Sequence, residues 1–177
     1  MPLNYQNLDP QTRAYMLSEI AHDVFEKTLY ISTRLAEVGA QNWAALLTES
    51  AEQHDDAWLA NEIQRRGYLR THEERRKSTG GTTTVKVPVT AHTTLAEGEF
   101  NRFYVRGLCQ SVLKNGGDRL VAYRARHSSN PRPESDAIVG REFSPTSLLA
   151  DLRTSTGVEP ALGVPPGPNS GLSVRIP

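Results

Sequence analysis

The stretch between Thr82 and Arg126 constrains the fold of this chain more than any other. Thr82-Thr83-Thr84-Val85-Lys86-Val87-Pro88-Val89-Thr90 is rich in β-branched residues that suit a pleated surface, with Pro88 placing it at an edge or ending it early. Thr94-Leu95-Ala96-Glu97 has the form of a capping box, and Ala96, Phe100, Phe103, Tyr104, Leu108 and Val112 repeat at helical spacing until Asn115-Gly116-Gly117 supplies a left-handed stop. Arg119-Leu-Val-Ala-Tyr-Arg-Ala-Arg126 reads as a second strand. A strand, a helix over about 95–115 and a strand, joined by short turns, predict a β-α-β unit with parallel strands and a right-handed crossover. The fold class expected is therefore α+β around a small sheet.

The flanks add helices. Asp9 followed by Pro10 starts a helix over 10–26 carrying Met16, Ile20 and Val24. Thr28–Ser32 is short and β-favouring, and a second helix follows around Trp43, Leu46, Leu47 and Ala51. Asp55 or Asp56 caps a third helix with Trp58, Leu59 and Ile63, closed by Gly67. Lys77-Ser78-Thr79-Gly80-Gly81 reads as a turn or linker, and Ser144-Pro145 starts a last helix with Leu148, Leu149 and Leu152. The organisation expected is an acidic helical segment over 1–67, a β-α-β core with its C-terminal helix over 82–156, and an extended arm over 157–177, together one domain plus an arm.

At 37% hydrophobic and 23% charged residues the chain can bury a core and stay in solution. It has no apolar run near the ~18–20 residues that cross a bilayer, and its first residues lack the basic and apolar regions of a secretory signal, so it is expected to stay where it is made. The single cysteine, Cys109, excludes an internal disulfide or a thiolate zinc cluster.

Charge is zero overall but divided along the chain. Residues 1–64 hold 3 basic and 10 acidic residues, 65–132 hold 14 and 5, and 133–177 hold 3 and 5. One reading is that the acidic segment folds back on the basic one. The other is a nucleic-acid surface built from Arg65, Arg66, Arg70, Arg75, Arg76 and Lys77 before the linker, Arg102 and Arg106 on one helix face, and Arg124 and Arg126 on one strand face. Glutamates at 73, 74, 97 and 99 interrupt that patch.

Motifs for chemistry are absent. His72-Glu73-Glu74-Arg75-Arg76 has Arg76 where a zincin helix needs its second histidine, and reads as a solvated charge run. His54-Asp55-Asp56 reads as a helix cap, and Gly80-Gly81-Thr82 precedes a strand rather than the helix that would assist anion binding. No catalytic, cofactor or metal site follows from the sequence, and the chain is expected to be non-enzymatic with no cofactor.

The end of the chain stands apart. Gly157–Gly171 holds four prolines, four glycines and no aromatic residue, before the short apolar run Leu172-Ser-Val-Arg-Ile176. Either this is a loose tail, or the run adds as a strand to a sheet edge of its own chain or of a neighbour, with Pro165-Pro166-Gly167-Pro168 as a stiff spacer. The expected partner-binding residues are Pro165, Pro166, Pro168, Leu172, Val174 and Ile176.

Leu95–Cys109, Val121–Arg126, Asn130–Ser135 and Pro165–Val174 together resemble small uncharacterised proteins of actinobacterial phages and prophages. The resemblance implies a virion or assembly role: a minor capsid or decoration subunit, bridging neighbouring capsid proteins or copies of itself with its C-terminal arm, and assembled in the host cytoplasm.

Overall fold

The computed structural model describes residues 2–127, 133–165 and 170–177. Asp9 starts α1 (Pro10–Phe25) by accepting from the Thr12 amide at 2.7 Å, with Pro10 where no N–H is required. Helix α2 (Glu37–Gln53) buries Trp43, Leu46, Leu47 and Ala51, and Asp55 caps α3 (Asp56–Arg65) through the Trp58 amide at 2.9 Å. Strands β1 (His72–Arg76) and β2 (Thr82–Lys86) form an antiparallel hairpin, turned at Gly80 and Gly81, whose φ values of 92° and 78° favour glycine. Helix α4 (Ala91–Lys114) follows. After it come β3 (Leu120–Arg124), the single turn α5 (Pro133–Asp136), β4 (Glu142–Phe143), α6 (Pro145–Thr154) and β5 (Leu172–Arg175). The class is α+β, with a two-stranded sheet and a three-stranded sheet ordered β4-β3-β5.

Helix α4 is the axis. It packs against α1, α2, α3, α6 and β5, and one core cluster runs from Met16 through Trp43, Phe100 and Leu148 to Val174. Fully burying each such side chain contributes about 1.5–3 kcal/mol. At Gly107 the backbones of α1 and α4 nearly touch: a Cβ there would lie 2.7 Å from Met16 Cγ and 2.8 Å from the Thr12 carbonyl oxygen, so only glycine permits this crossing.

Three expectations are corrected. Among the described residues no parallel β-α-β unit forms, because β2 pairs with β1 while β3 pairs antiparallel with β4 and β5. The hairpin needs only a short turn, and closing a short loop costs less chain entropy than bringing β2 round to β3 across a long helix. The run 72–76 is thus a strand, though a solvated one, and 77–81 is its turn. Helix α4 begins at Ala91, four residues early, so Thr94 and Glu97 sit inside it and form no capping box. Thr28–Ser32 is not a strand: the Thr28 and Leu29 amides are taken by the Asp23 carbonyl.

The C-terminal run docks on its own chain. Val121, Ala122, Tyr123 and Arg124 pair with Arg175, Val174, Ser173 and Leu172. Asn101 on α4 fixes the register from beneath, donating to the Leu172 carbonyl at 2.8 Å and accepting from the Ser173 hydroxyl at 2.7 Å.

Candidate functional site

The stretch of α4 that carries Asn101 also walls a cavity of about 340 Å³. Its other walls are the Tyr30–Arg34 connection between α1 and α2, the end of α6 at Leu152, and the chain that leaves α6 through Gly157, Val158, Glu159 and Pro160. Two local devices hold that chain in place. Gly157, at φ 72°, lets the backbone lie so close to Tyr30 that a Cβ would be 2.7 Å from the ring. Asp151 accepts from the Ala161 and Leu162 amides at 2.9 and 2.7 Å and from the Ser155 hydroxyl at 2.8 Å. Against its desolvation, those bonds hold the Asp151 carboxyl below its usual range.

The cavity gathers charges that the sequence scatters. Arg102 is buried and caps the frayed carbonyls at the end of α6, donating to Ser155 at 2.7 Å and to Leu152. Arg34 is held by Glu73 of β1 at 2.7 and 3.1 Å. Glu97 is held by Arg126 at 2.5 and 3.2 Å. Glu99 differs. It is 8% exposed and lines the cavity, yet it forms no ion pair and accepts no hydrogen bond among the described residues. Burial pushes its carboxyl up to about 7; the nearby Arg102 and Arg106 oppose that rise and Asp23 adds to it.

A second hollow, about 600 Å³, lies under the hairpin beside Leu69, Val87 and Pro88. Its charged or titratable lining, Arg70, His72, Lys86 and His92, is nowhere fully buried. Among the described residues no group of three or more His, Cys, Asp or Glu side chains could hold a metal. Cys109 is buried in the middle of α4, and desolvation pushes its thiol far up, so it is no nucleophile.

The basic residues expected to form one patch divide between buried and exposed positions. Arg106 is fully buried and paired with Glu19 and Asp23 of α1, as the fold-back reading of the charge division requires. Arg65 and Arg66 hold Glu62, Arg70 donates to the Leu35 carbonyl, and Arg124 holds Asp136. Arg102 and Arg126 face the cavity and Glu97 as described. Arg65, Arg66 and Arg70 stay exposed, as do Arg75, Arg76 and Lys77 on the hairpin, with Glu73 3.8 Å from Arg75.

The arm is corrected too. Leu172 and Val174 are wholly buried in the chain's own sheet and Pro165 is buried beside the cavity, so none is open to a partner. Ile176 is 43% exposed. Pro166 and Pro168 lie outside the described residues.

Sequence reasoning placed Glu99 only as an interruption of a basic face. Phe100, Phe103, Tyr104, Val105, Leu108 and Cys109 cover about 240° of the helix, and Glu99, Arg102 and Arg106 share the remaining arc, which spacing alone reads as a polar face. No protein-family model, curated protein or solved structure matches the chain.

Proposed function

We propose that this chain is a small-molecule-binding protein and that its ligand occupies the cavity beside α4. One observation carries the reading: a carboxyl more than nine-tenths buried, lining a partly open cavity, to which the described residues supply no hydrogen-bond partner. Holding that carboxyl largely out of water with no partner from the fold is unfavourable. A ligand that fills the space and bonds to Glu99 supplies the missing partner. The volume falls in the range of small-ligand sites, and the mixture of apolar walls with a few convergent polar groups is what such sites contain. The bridging role expected from the arm loses its ground, since the arm's apolar end is spent inside its own fold.

The test is a titration of the ¹⁵N-labelled full chain with single-ring aromatic fragments that differ only in head group. At least one should shift the amides of Tyr30, Leu95, Gly98, Arg102 and Val158 together. If no fragment moves that set at millimolar concentration, the reading fails.

A further inference from the structure

We infer that the ligand presents a protonated nitrogen, as an amine, amidine or guanidinium group on a compact apolar body, and that Glu99 is the carboxylate that receives it. The inference rests on the cavity being a ligand site and names the chemical class that site takes.

The two guanidiniums in the cavity are each anchored to the fold by two hydrogen bonds, whereas the Glu99 carboxyl has none among the described residues. Both terminal nitrogens of Arg102 go to carbonyls at the end of α6, and Arg34 is held through two nitrogens by Glu73. In its ionised form Glu99 is an acceptor only, and it is left without a hydrogen bond among the described residues. Around the polar groups stand Tyr30, Leu95, Leu152, Val158, Pro160 and Pro165, apolar walls for a compact body.

Binding of a cation would also be coupled to protons. Glu99 faces Arg102 and Arg106 from its own helix and Asp23 from α1, and shares the cavity with Arg34 of the connection and Glu97 and Glu159. Burial outweighs the two arginines and keeps the carboxyl half-protonated near pH 7. A cationic ligand stabilises the ionised form and expels the proton.

The test compares benzamidine and phenethylamine with benzamide and phenylacetate, on the full chain and on Glu99→Gln, by calorimetry and by amide shifts at pH 8. The two cations should bind at the cavity amides at least tenfold more tightly than benzamide, and Glu99→Gln should remove that advantage while leaving benzamide unchanged. Lowering the pH from 8 to 5.5 should weaken benzamidine roughly thirty-fold in the unaltered chain, because the ionised fraction of Glu99 falls by that factor while the probe stays protonated. This arm stands even if the variant does not fold. Benzamide or phenylacetate binding in the cavity as tightly as the cations would overturn the charge assignment and leave the cavity reading intact. Benzamidine binding undiminished by Glu99→Gln, or unchanged by pH, would remove Glu99 from the role. Silence from all four probes would overturn this inference together with the reading beneath it.

Discussion

Two buried carboxylates, Glu19 and Glu99, meet the same central helix within two turns of one another and live in opposite conditions. Glu19 on α1 receives Arg106 at 2.7 and 2.9 Å, Arg153 at 2.5 and 3.0 Å and Gln110 at 2.9 Å, while Asp23 takes the other side of Arg106. Burial alone would raise its pKa, and the hydrogen bonds from Arg153, Gln110 and Arg106 outweigh it, bringing the carboxyl down to about 2. Glu99 has no such partners and is pushed up to about 7. Burial by itself therefore decides little about a charge. What the fold places within hydrogen-bond reach decides whether the group fastens the structure or waits for something to bind.

The largest expected effect falls on the satisfied side. Arg106→Met leaves Glu19 and Asp23 buried without their central cation and should cost about 3–5 kcal/mol in urea unfolding. A loss under about 1 kcal/mol would mean that the cluster is not desolvated as described, and the comparison would fail.

Glu99→Gln should act in the opposite direction. A folded pKa above the unfolded value means no penalty below about pH 4.5, where both states are protonated. The penalty grows as pH rises from about 4.5 to 7, where the unfolded chain ionises and the folded one holds its proton, and it stays constant above that. The variant should therefore be about 3 kcal/mol more stable than the parent at pH 8 and equal to it at pH 4. Asp56, buried at the start of α3 and raised to about 6, gives the parent a decline of the same sign that remains in the variant. Glu19 works the other way, its stabilisation present above about pH 4.5 and lost as pH falls toward 2. Parallel pH profiles for variant and parent between pH 4 and 8 would show that Glu99 is not held unpartnered in the folded state.

The smallest effect belongs to the solvated hairpin. Arg76→Ala should change unfolding stability by no more than about 0.5 kcal/mol, since its side chain stands in water. A larger change would mean that the hairpin is fastened by contacts its exposure does not suggest.

Much of the local architecture was legible. The Asp9-Pro10 and Ser144-Pro145 starts, the Asp55 cap and the strand at Leu120–Arg124 follow from residue chemistry acting within a few positions. The docking of Leu172–Arg175 on a sheet edge was among the outcomes the composition allowed, but not which edge. The candidate site was hidden for a different reason. Its walls come from residues near 30, 95–102, 152 and 157–165, and nothing in the spacing of those segments says that they meet.

Sequence by itself determined where helices begin, which residues prefer extended backbone, and that one long helix carries apolar groups around most of its girth. Tertiary structure decided which strands pair, that most of the arginines serve nearby carboxylates or carbonyls, and that one largely buried glutamate has no partner among the described residues. The physical reason is range: capping and periodicity act over one or two turns, whereas pairing and charge satisfaction depend on what packing brings across from distant parts of the chain.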